Sequence, residues 1–366
     1  MVGIHAILPL GLVFIHIFWR VHEPRSGRPL RFGCAIISAT LLRLRSWEGL
    51  QLIVFRCLSA SLLIFVLALI ASAQMSDIAP WVDVASSDYD IQPNLTYAIA
   101  NNTELKLDLY LPKDRSQPKP TLVLFHGGGW VDGAKERNTM YLLPYLAMGW
   151  VVVNVEYRLA RNSFAPAAVE DCRCSLRWLT YRAKEYNIDT SKFVLTGTSA
   201  GGHLSLIAGM LPNHSVFDRQ CRTEGDGRWN SAAEPEINVA AVVNWFGITD
   251  VADLLEGQNA KHWAVEWFGS LPNRMDLASQ LSPLNHVRTN GPAVITMHGE
   301  LDDVVPYQQA VRLHAELDKA KVLNKLITMK GRKHGGFSRE EMASSYAAIR
   351  EFLRKAGVIS NDTKKL

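Results

Sequence analysis

Residues 193–203 read Phe193-Val194-Leu195-Thr196-Gly197-Thr198-Ser199-Ala200-Gly201-Gly202-His203: a short apolar strand run, a glycine-rich turn and the opening of a helical pattern. A serine framed by two glycines at such a strand-to-helix reversal has a mechanical reading. The central residue must take a strained backbone, and neighbouring side chains larger than hydrogen would strike the strand or the helix. The turn therefore predicts that Ser199 stands above a sheet, with the amino end of a helix beneath it. A Gly-x-Ser-x-Gly pentapeptide also occurs by chance in ordinary loops. The flanking strand and helix patterns set this one apart.

The rest of the body continues the alternation of strand and helix patterns. From about Asn94 onward short β-rich runs alternate with longer helical ones, which predicts an α/β fold: a mostly parallel sheet with helices on both faces. An opening hairpin is expected where residues 95–99 and 105–111 flank Asn101-Asn102, and its alternating pattern predicts one wet face. Continuous apolar runs at 121–125, 150–155, 193–196, 239–245, 293–297 and 326–329 read as central strands buried on both faces. Helices are expected at 140–148, 167–186, 202–211, 306–320 and 339–355. Two stretches fit poorly, 212–236 and 251–284. The second carries His262-Trp263-Ala264-Val265-Glu266-Trp267-Phe268 and is read as a small cap whose aromatic rings face a pocket. The i,i+4 spacing of Trp263 and Trp267 equally fits a helix packed onto the body.

Three further segments supply what an activated serine needs. His126-Gly127-Gly128-Gly129-Trp130 follows the strand at 121–125. A glycine run exposes backbone N–H groups, so Gly128 and Gly129, joined by Ala200, are candidate donors to an oxyanion. His126 reads as a structural hydrogen-bonding residue. A serine hydroxyl also requires a base and an orienting carboxylate. After the strand at 293–297 comes His298-Gly299-Glu300-Leu301-Asp302-Asp303-Val304-Val305-Pro306, with Asp302 the candidate carboxylate and Asp303 its competitor. After the strand at 326–329 comes Lys330-Gly331-Arg332-Lys333-His334-Gly335-Gly336-Phe337, which places His334 in a glycine-flanked loop that suits a base. The other body histidines, His203, His214, His262, His286, His298 and His314, are read as surface or packing residues. No Cys-x-x-Cys or paired-His spacing is present, so neither a metal site nor a cofactor is expected.

These motifs, in this order, resemble those of α/β-hydrolases of the esterase and lipase superfamily. More narrowly, the chain is similar to bacterial carboxylesterases and to acetyl- or feruloyl-esterase-like enzymes near the hormone-sensitive-lipase and prolyl-oligopeptidase branches. The similarity runs from about Leu95 to Gly357. It implies an α/β-hydrolase fold with a small cap and a triad of Ser199 as nucleophile, His334 as general base and acid, and Asp302 as orienting carboxylate. It implies oxyanion donors at Gly128, Gly129 and Ala200, and hydrolysis of short-chain or carbohydrate-linked esters through an acyl-enzyme. A prolyl-oligopeptidase-type peptidase uses the same triad order, and a silent hydrolase fold would serve as a binding module. Such modules tend to lose a triad residue, whereas all three are retained here.

Charge and cysteines bear on where the body works. The calculated pI is about 8.7, but the excess base sits at the front: residues 1–73 hold seven Arg, no Lys and two Glu, leaving 32 basic and 33 acidic side chains in 74–366. A nearly neutral body argues against nucleic acid as a partner, and the partner that the resemblance implies is a small-molecule or carbohydrate ester. In the leader, the apolar run from Cys57 to Ala73 follows Arg43, Arg45 and Arg56 and ends in Ala71-Ser72-Ala73, the layout of a signal peptide. The body, 74–366, is then expected to be secreted or periplasmic, without stable membrane association once the leader is removed. An earlier apolar stretch, roughly Val2 to Trp19, fits an over-extended translation start, and the alternative is a membrane-anchored amino terminus. Cys172, Cys174 and Cys221 remain in the body, where one of the first two could pair with Cys221, or all three could pack as buried thiols. Amino-terminal sequencing of the purified protein should find a first residue close to Gln74. A mature chain beginning upstream of Ala71 would overturn the cleavage site.

Overall fold

The computed structural model describes residues 87–221 and 235–360. The leader and its cleavage site lie outside the described residues, as do Gln74 and part of the irregular stretch at 212–236. All the described residues belong to one compact unit, Pro80–Leu366.

Among the described residues, eight strands form one sheet in the order β1-β2-β4-β3-β5-β6-β7-β8. They are β1 (Tyr89–Ala100), β2 (Thr103–Pro112), β3 (Lys119–Phe125), β4 (Val151–Val155), β5 (Ile188–Thr198), β6 (Val239–Trp245), β7 (Ala293–Gly299) and β8 (Asn324–Met329). The hairpin β1–β2 and the pairing of β2 with β4 are antiparallel, and every other pairing is parallel. Asn101 and Asn102 make the hairpin turn with φ of 48° and 57°, a left-handed pair that asparagine tolerates better than most residues. The expected mostly parallel sheet is therefore present.

Among the described residues, six α-helices of seven residues or more cover it: α1 (Ala167–Tyr181), α2 (Ala200–Met210), α3 (His262–Phe268), α4 (Arg274–Gln280), α5 (Tyr307–Lys319) and α6 (Arg339–Lys355). Each face has its own core. Leu176, Leu204, Ala208, Leu313 and Leu317 from α1, α2 and α5 pack with Val123, Val153 and Leu195 of the sheet. On the opposite face Ile349, Phe352 and Leu353 of α6 meet Val152, Val194, Val243 and Ile295. Successive strand residues thus face different cores, which is why β4 and β6 read as apolar runs, each interrupted by one buried asparagine, Asn154 or Asn244.

Four expectations are corrected. The helix expected at 140–148 is a 3-10 helix, Lys135–Leu142, followed by a single α-turn, Leu143–Leu146. The helix expected at 167–186 stops at Tyr181, and a separate turn, Ala183–Tyr186, ends at Asn187 in the left-handed region. β8 is an edge strand with only Met329 buried, so it lacks the two covered faces of a central strand. The polar face of β2 is also drier than its alternation predicts. Asp108 is buried there, bonded to Lys135 Nζ at 2.8 Å and to the Asn94 N–H at 2.9 Å.

The stretch after α2 is pinned to α1. Cys174 is disulfide-bonded to Cys221, leaving Cys172 as a buried free thiol. Beside the disulfide, Asp218 accepts from Arg173 Nε and Arg177 Nη2, each at 2.7 Å, with all three side chains buried. The disulfide closes a loop of sequence separation 47, worth about 4 kcal/mol on a chain-entropy account. Reducing it, or substituting Cys174→Ser, should lower the thermal midpoint measurably. A midpoint unchanged on reduction would show that the ion-pair cluster holds the segment without it.

Candidate active site

The site lies at the carboxyl ends of the parallel strands. Thr198 pairs with Trp245, Trp245 with Met297, and Gly299 with Met329, so the loops leaving β5, β6, β7 and β8 emerge side by side. The loop leaving β3 joins them because Phe125 pairs with Gly197.

Ser199 sits between β5 and α2 with φ 54° and ψ −119°, a combination that costs a non-glycine residue free energy. The elbow is held by the Ser199 N–H donating to the Trp245 carbonyl at 2.9 Å. Its glycines are sterically required. A Cβ on Gly201 would stand 2.0 Å from the Phe125 carbonyl oxygen, and one on Gly197 would be 2.4 Å from the same atom. The helix α2 then starts at Ala200, directing its positive end at the space above Ser199.

Gly128 and Gly129 have φ of 124° and 59°, and a Cβ on Gly128 would fall 1.9 Å from the Asp132 carbonyl oxygen. The tight turn is closed by the N–H groups of Val131 and Asp132 donating to the Gly128 carbonyl. Among the described residues, no acceptor engages the N–H of Gly128, Gly129 or Ala200. Gly128, Gly129, Ser199 and His334 line one cleft of about 480 Å³, with Phe246, Trp263 and Val304 among the apolar walls.

His334 is partly exposed, and its Nδ1 donates to Asp302 Oδ2 at 2.7 Å, which turns Nε2 away from the carboxylate. Asp302 Oδ1 accepts from the N–H groups of Val304 and Val305, both at 2.9 Å. Burial alone would push the Asp302 carboxyl up, but hydrogen bonds from His298 and His334, the His334 charge and the Val305 N–H hold it well below the usual carboxylate range. Asp303 points elsewhere and pairs with Lys333 on the surface. The structure therefore brings together Ser199, His334 and Asp302, and separates Asp303 from them. Among the described residues, no cluster of three or more His, Cys, Asp or Glu could hold a metal ion.

Both readings of the aromatic pair at 263 and 267 apply, each to one residue. Trp267 is fully buried and stacks on Trp130, with centroids 4.1 Å apart. Trp263 lines the cleft and lies against Gly129, where a Cβ would meet its ring at 3.2 Å. Two histidines read as packing residues are more closely tied to the site than expected. His203, on α2, accepts from Trp130 Nε1 at 3.2 Å through Nδ1 and donates to the Leu281 carbonyl at 2.8 Å through Nε2. It thereby links the serine helix to the glycine loop and to the segment bearing Trp263. His298 contacts Asp302 directly. The signal in the sequence was the i,i+4 spacing of His298 and Asp302 within one turn.

His126, as expected, is buried and bonds locally, its Nδ1 donating to the Gly127 carbonyl at 2.8 Å and its ring stacking on Tyr157. Burial holds His126 and His203 down at about 4.

A family model described as BD-FAE matches residues 107–317, and one described as TAP-like protein matches residues 273–364. Esterase LipC of Mycobacterium tuberculosis is 27% identical over 212 residues, covering 56% of this chain and 50% of that one. The chain spans about half the length of the curated relatives it matches. Among solved structures, a truncated carbohydrate esterase from gut microbiota is 27% identical with a TM-score of 0.60, covering 73% of this chain and 97% of that one. A thermophilic esterase from Thermogutta terrifontis is 24% identical, with a TM-score of 0.61 over 76% of this chain and 96% of that one.

The depressed histidines link stability to pH. In the unfolded chain a histidine titrates near 6.5, so below that value the unfolded state binds the proton that folded His203 refuses. Its stabilisation is complete above about pH 6.5 and is lost as pH falls towards about 4. Between about pH 7 and about pH 4.5 the loss is on the order of 2 kcal/mol for this residue. Urea unfolding at those two values should show His203→Gln losing less stability than the wild type. An identical loss in both would rule out His203 as a source of acid sensitivity.

Proposed function

The chain belongs to the BD-FAE family and carries the α/β-hydrolase fold, and from that premise we propose that it is a serine carboxylesterase acting through an acyl-enzyme. One observation carries the reading. Ser199 and His334 line the same cleft, and the ring of His334 is anchored from behind by Asp302.

With Nδ1 committed to Asp302, His334 Nε2 is the base. It takes the Ser199 hydroxyl proton as Oγ attacks the ester carbonyl carbon. The carbonyl π electrons move onto oxygen, and the N–H groups of Gly128, Gly129 and Ala200 receive the oxyanion, each donor worth about 3 kcal/mol of barrier. Collapse expels the alcohol, which leaves with the proton from His334. Water then gives a proton to His334 and attacks the acyl-enzyme, and the carboxylic acid departs as Ser199 recovers its hydrogen.

The substrate is proposed to be a short-chain or carbohydrate-linked ester. The likeness to a carbohydrate esterase supports the second, and the Trp263 ring beside Gly129 offers the flat apolar surface on which a sugar or a short acyl chain packs. The Cys174–Cys221 disulfide supports a body that folds in an oxidising compartment, in keeping with the secreted or periplasmic placement.

Wild-type protein should hydrolyse p-nitrophenyl acetate or butyrate and become labelled by a fluorophosphonate. Ser199→Ala should lose at least about a thousandfold in kcat/KM with an unchanged thermal midpoint. Substantial surviving activity would reject Ser199 as nucleophile. Faster cleavage of an aminoacyl-arylamide than of any ester in a panel from acetyl to feruloyl and acetylated xylan would favour a peptidase.

A further inference from the structure

Two imidazoles bond Asp302, and one of them never reaches the cleft. His298, near the end of β7 and fully buried, sets Nε2 at 2.9 Å from the Val305 carbonyl oxygen and 3.2 Å from Asp302 Oδ2. Both neighbours are acceptors, so Nε2 carries the hydrogen and shares it between them. Nδ1, buried without a partner, is then the bare lone-pair nitrogen of a neutral ring. The edge of Tyr307 closes the pocket, with centroids 5.8 Å apart.

We propose that His298 is a positioning residue that acts through Asp302, fixing the carboxylate's rotation and limiting how strongly it draws a proton onto His334. The proposal takes His334 as the base from the function proposed above. Four donors meet two oxygens. Val304 and Val305 hold Oδ1, while His298 and His334 share Oδ2, so the carboxylate cannot turn without breaking a bond. Each N–H also withdraws charge from the carboxylate, and what His298 takes at Oδ2 is not available to a positively charged His334. Its hydrogen bond is the first of the effects that outweigh burial and keep the Asp302 carboxyl low. A catalytic base bound too tightly to its proton returns it slowly to the leaving alcohol, and a second donor on the carboxylate weakens that hold.

The other charged groups near this network are engaged elsewhere. On the β7 loop Asp303 pairs with Lys333, and Glu300 accepts from the Gly331 N–H. On the β8 loop Arg332 is held by Glu341 of α6. From the segment at 251–284, Lys261 donates to the Asp303 carbonyl, and His262 lines the outer cleft. Arg137 reaches the cleft from the glycine-loop side and pairs with Asp132. Tyr307 on α5 bonds Thr328 through its hydroxyl. Among the described residues, the side-chain N–H groups that approach Oδ2 are those of His334, hydrogen-bonded at 2.7 Å, and His298, at 3.2 Å.

The test compares His298→Phe, which keeps a flat ring and removes the donor, with His298→Gln, whose amide N–H can stand where Nε2 stood. The readout is the titration midpoint of His334 followed by the ring Cε1–H signal in NMR, assigned by its absence in His334→Asn. His298→Phe should raise the midpoint by about half to one pH unit and move the acid limb of kcat/KM for p-nitrophenyl acetate upward by the same amount. His298→Gln should return both towards the wild type. If Phe is not accommodated, His298→Leu removes the donor with less volume. An unmoved midpoint in a folded donor-free variant, or an equal shift in His298→Gln, would overturn the proposal. The NMR midpoint answers even if the wild type cleaves no ester, which would refute the proposed function alone.

Discussion

Everything at the site depends on how closely the turn after β5 approaches the end of β3. Gly197 and Gly201 leave no room for a Cβ against the Phe125 carbonyl oxygen, and Ser199 between them is held at a positive φ. A larger residue at either glycine would push the turn away from β3, and with it the separation between Ser199 and the glycine loop that β3 leads into. Local strain at Ser199 is sustained because the Trp245 carbonyl and two adjacent parallel pairings hold the turn from below.

From that contact the parallel sheet acts as a ruler. Neighbouring strands lie about 4.8 Å apart, and β5, β6 and β7 occur in sheet order and in chain order alike. A serine at the end of β5, an aspartate after β7 and a histidine after β8 are then separated by two and one strand spacings, bridged by side chains and loops. The loop after β6 fills the interval: Phe246, with φ of 41°, donates its N–H to the Met297 carbonyl and sets its ring 4.7 Å from His334. The order of these residues in the sequence thus follows from the order of strands in space.

That geometry explains which features were legible beforehand. β6 and α6 have the boundaries their patterns predict, β6 because a central parallel strand is apolar on both faces apart from Asn244, and α6 because Ser338 and Glu341 form a reciprocal cap at its start. The elbow, the glycine loop and Asp302 were readable because each is a local motif with its own steric or hydrogen-bonding demand. Features decided by contacts distant in sequence were not. Whether Cys172 or Cys174 pairs with Cys221 depends on which side of α1 faces the loop after α2, and the shared face goes to Cys174. The division of labour between Trp263 and Trp267 depends on where α3 rests, which Trp130 decides by stacking on one of them. His298 looked like a packing residue, and it does pack; its N–H, however, lies between the Val305 carbonyl and the Asp302 carboxylate, both placed by the turn from Gly299 to Val305.

The histidines around the cleft show how one chemical group serves opposite ends. His126 and His203 are enclosed among carbonyls and aromatic rings, where burial penalises the charged form, and each can therefore act as a fixed, neutral hydrogen-bonding strut. His298 is equally enclosed, and its neighbours assign its single hydrogen to Nε2. His334 differs in having both a carboxylate at Nδ1 and access to the cleft, so a positive charge on its ring would have a partner. The sheet positions these rings, but burial decides which are struts and which opens onto the cleft. A substitution that opened the wall around His203 or His298 to water would weaken that distinction without touching Ser199, His334 or Asp302.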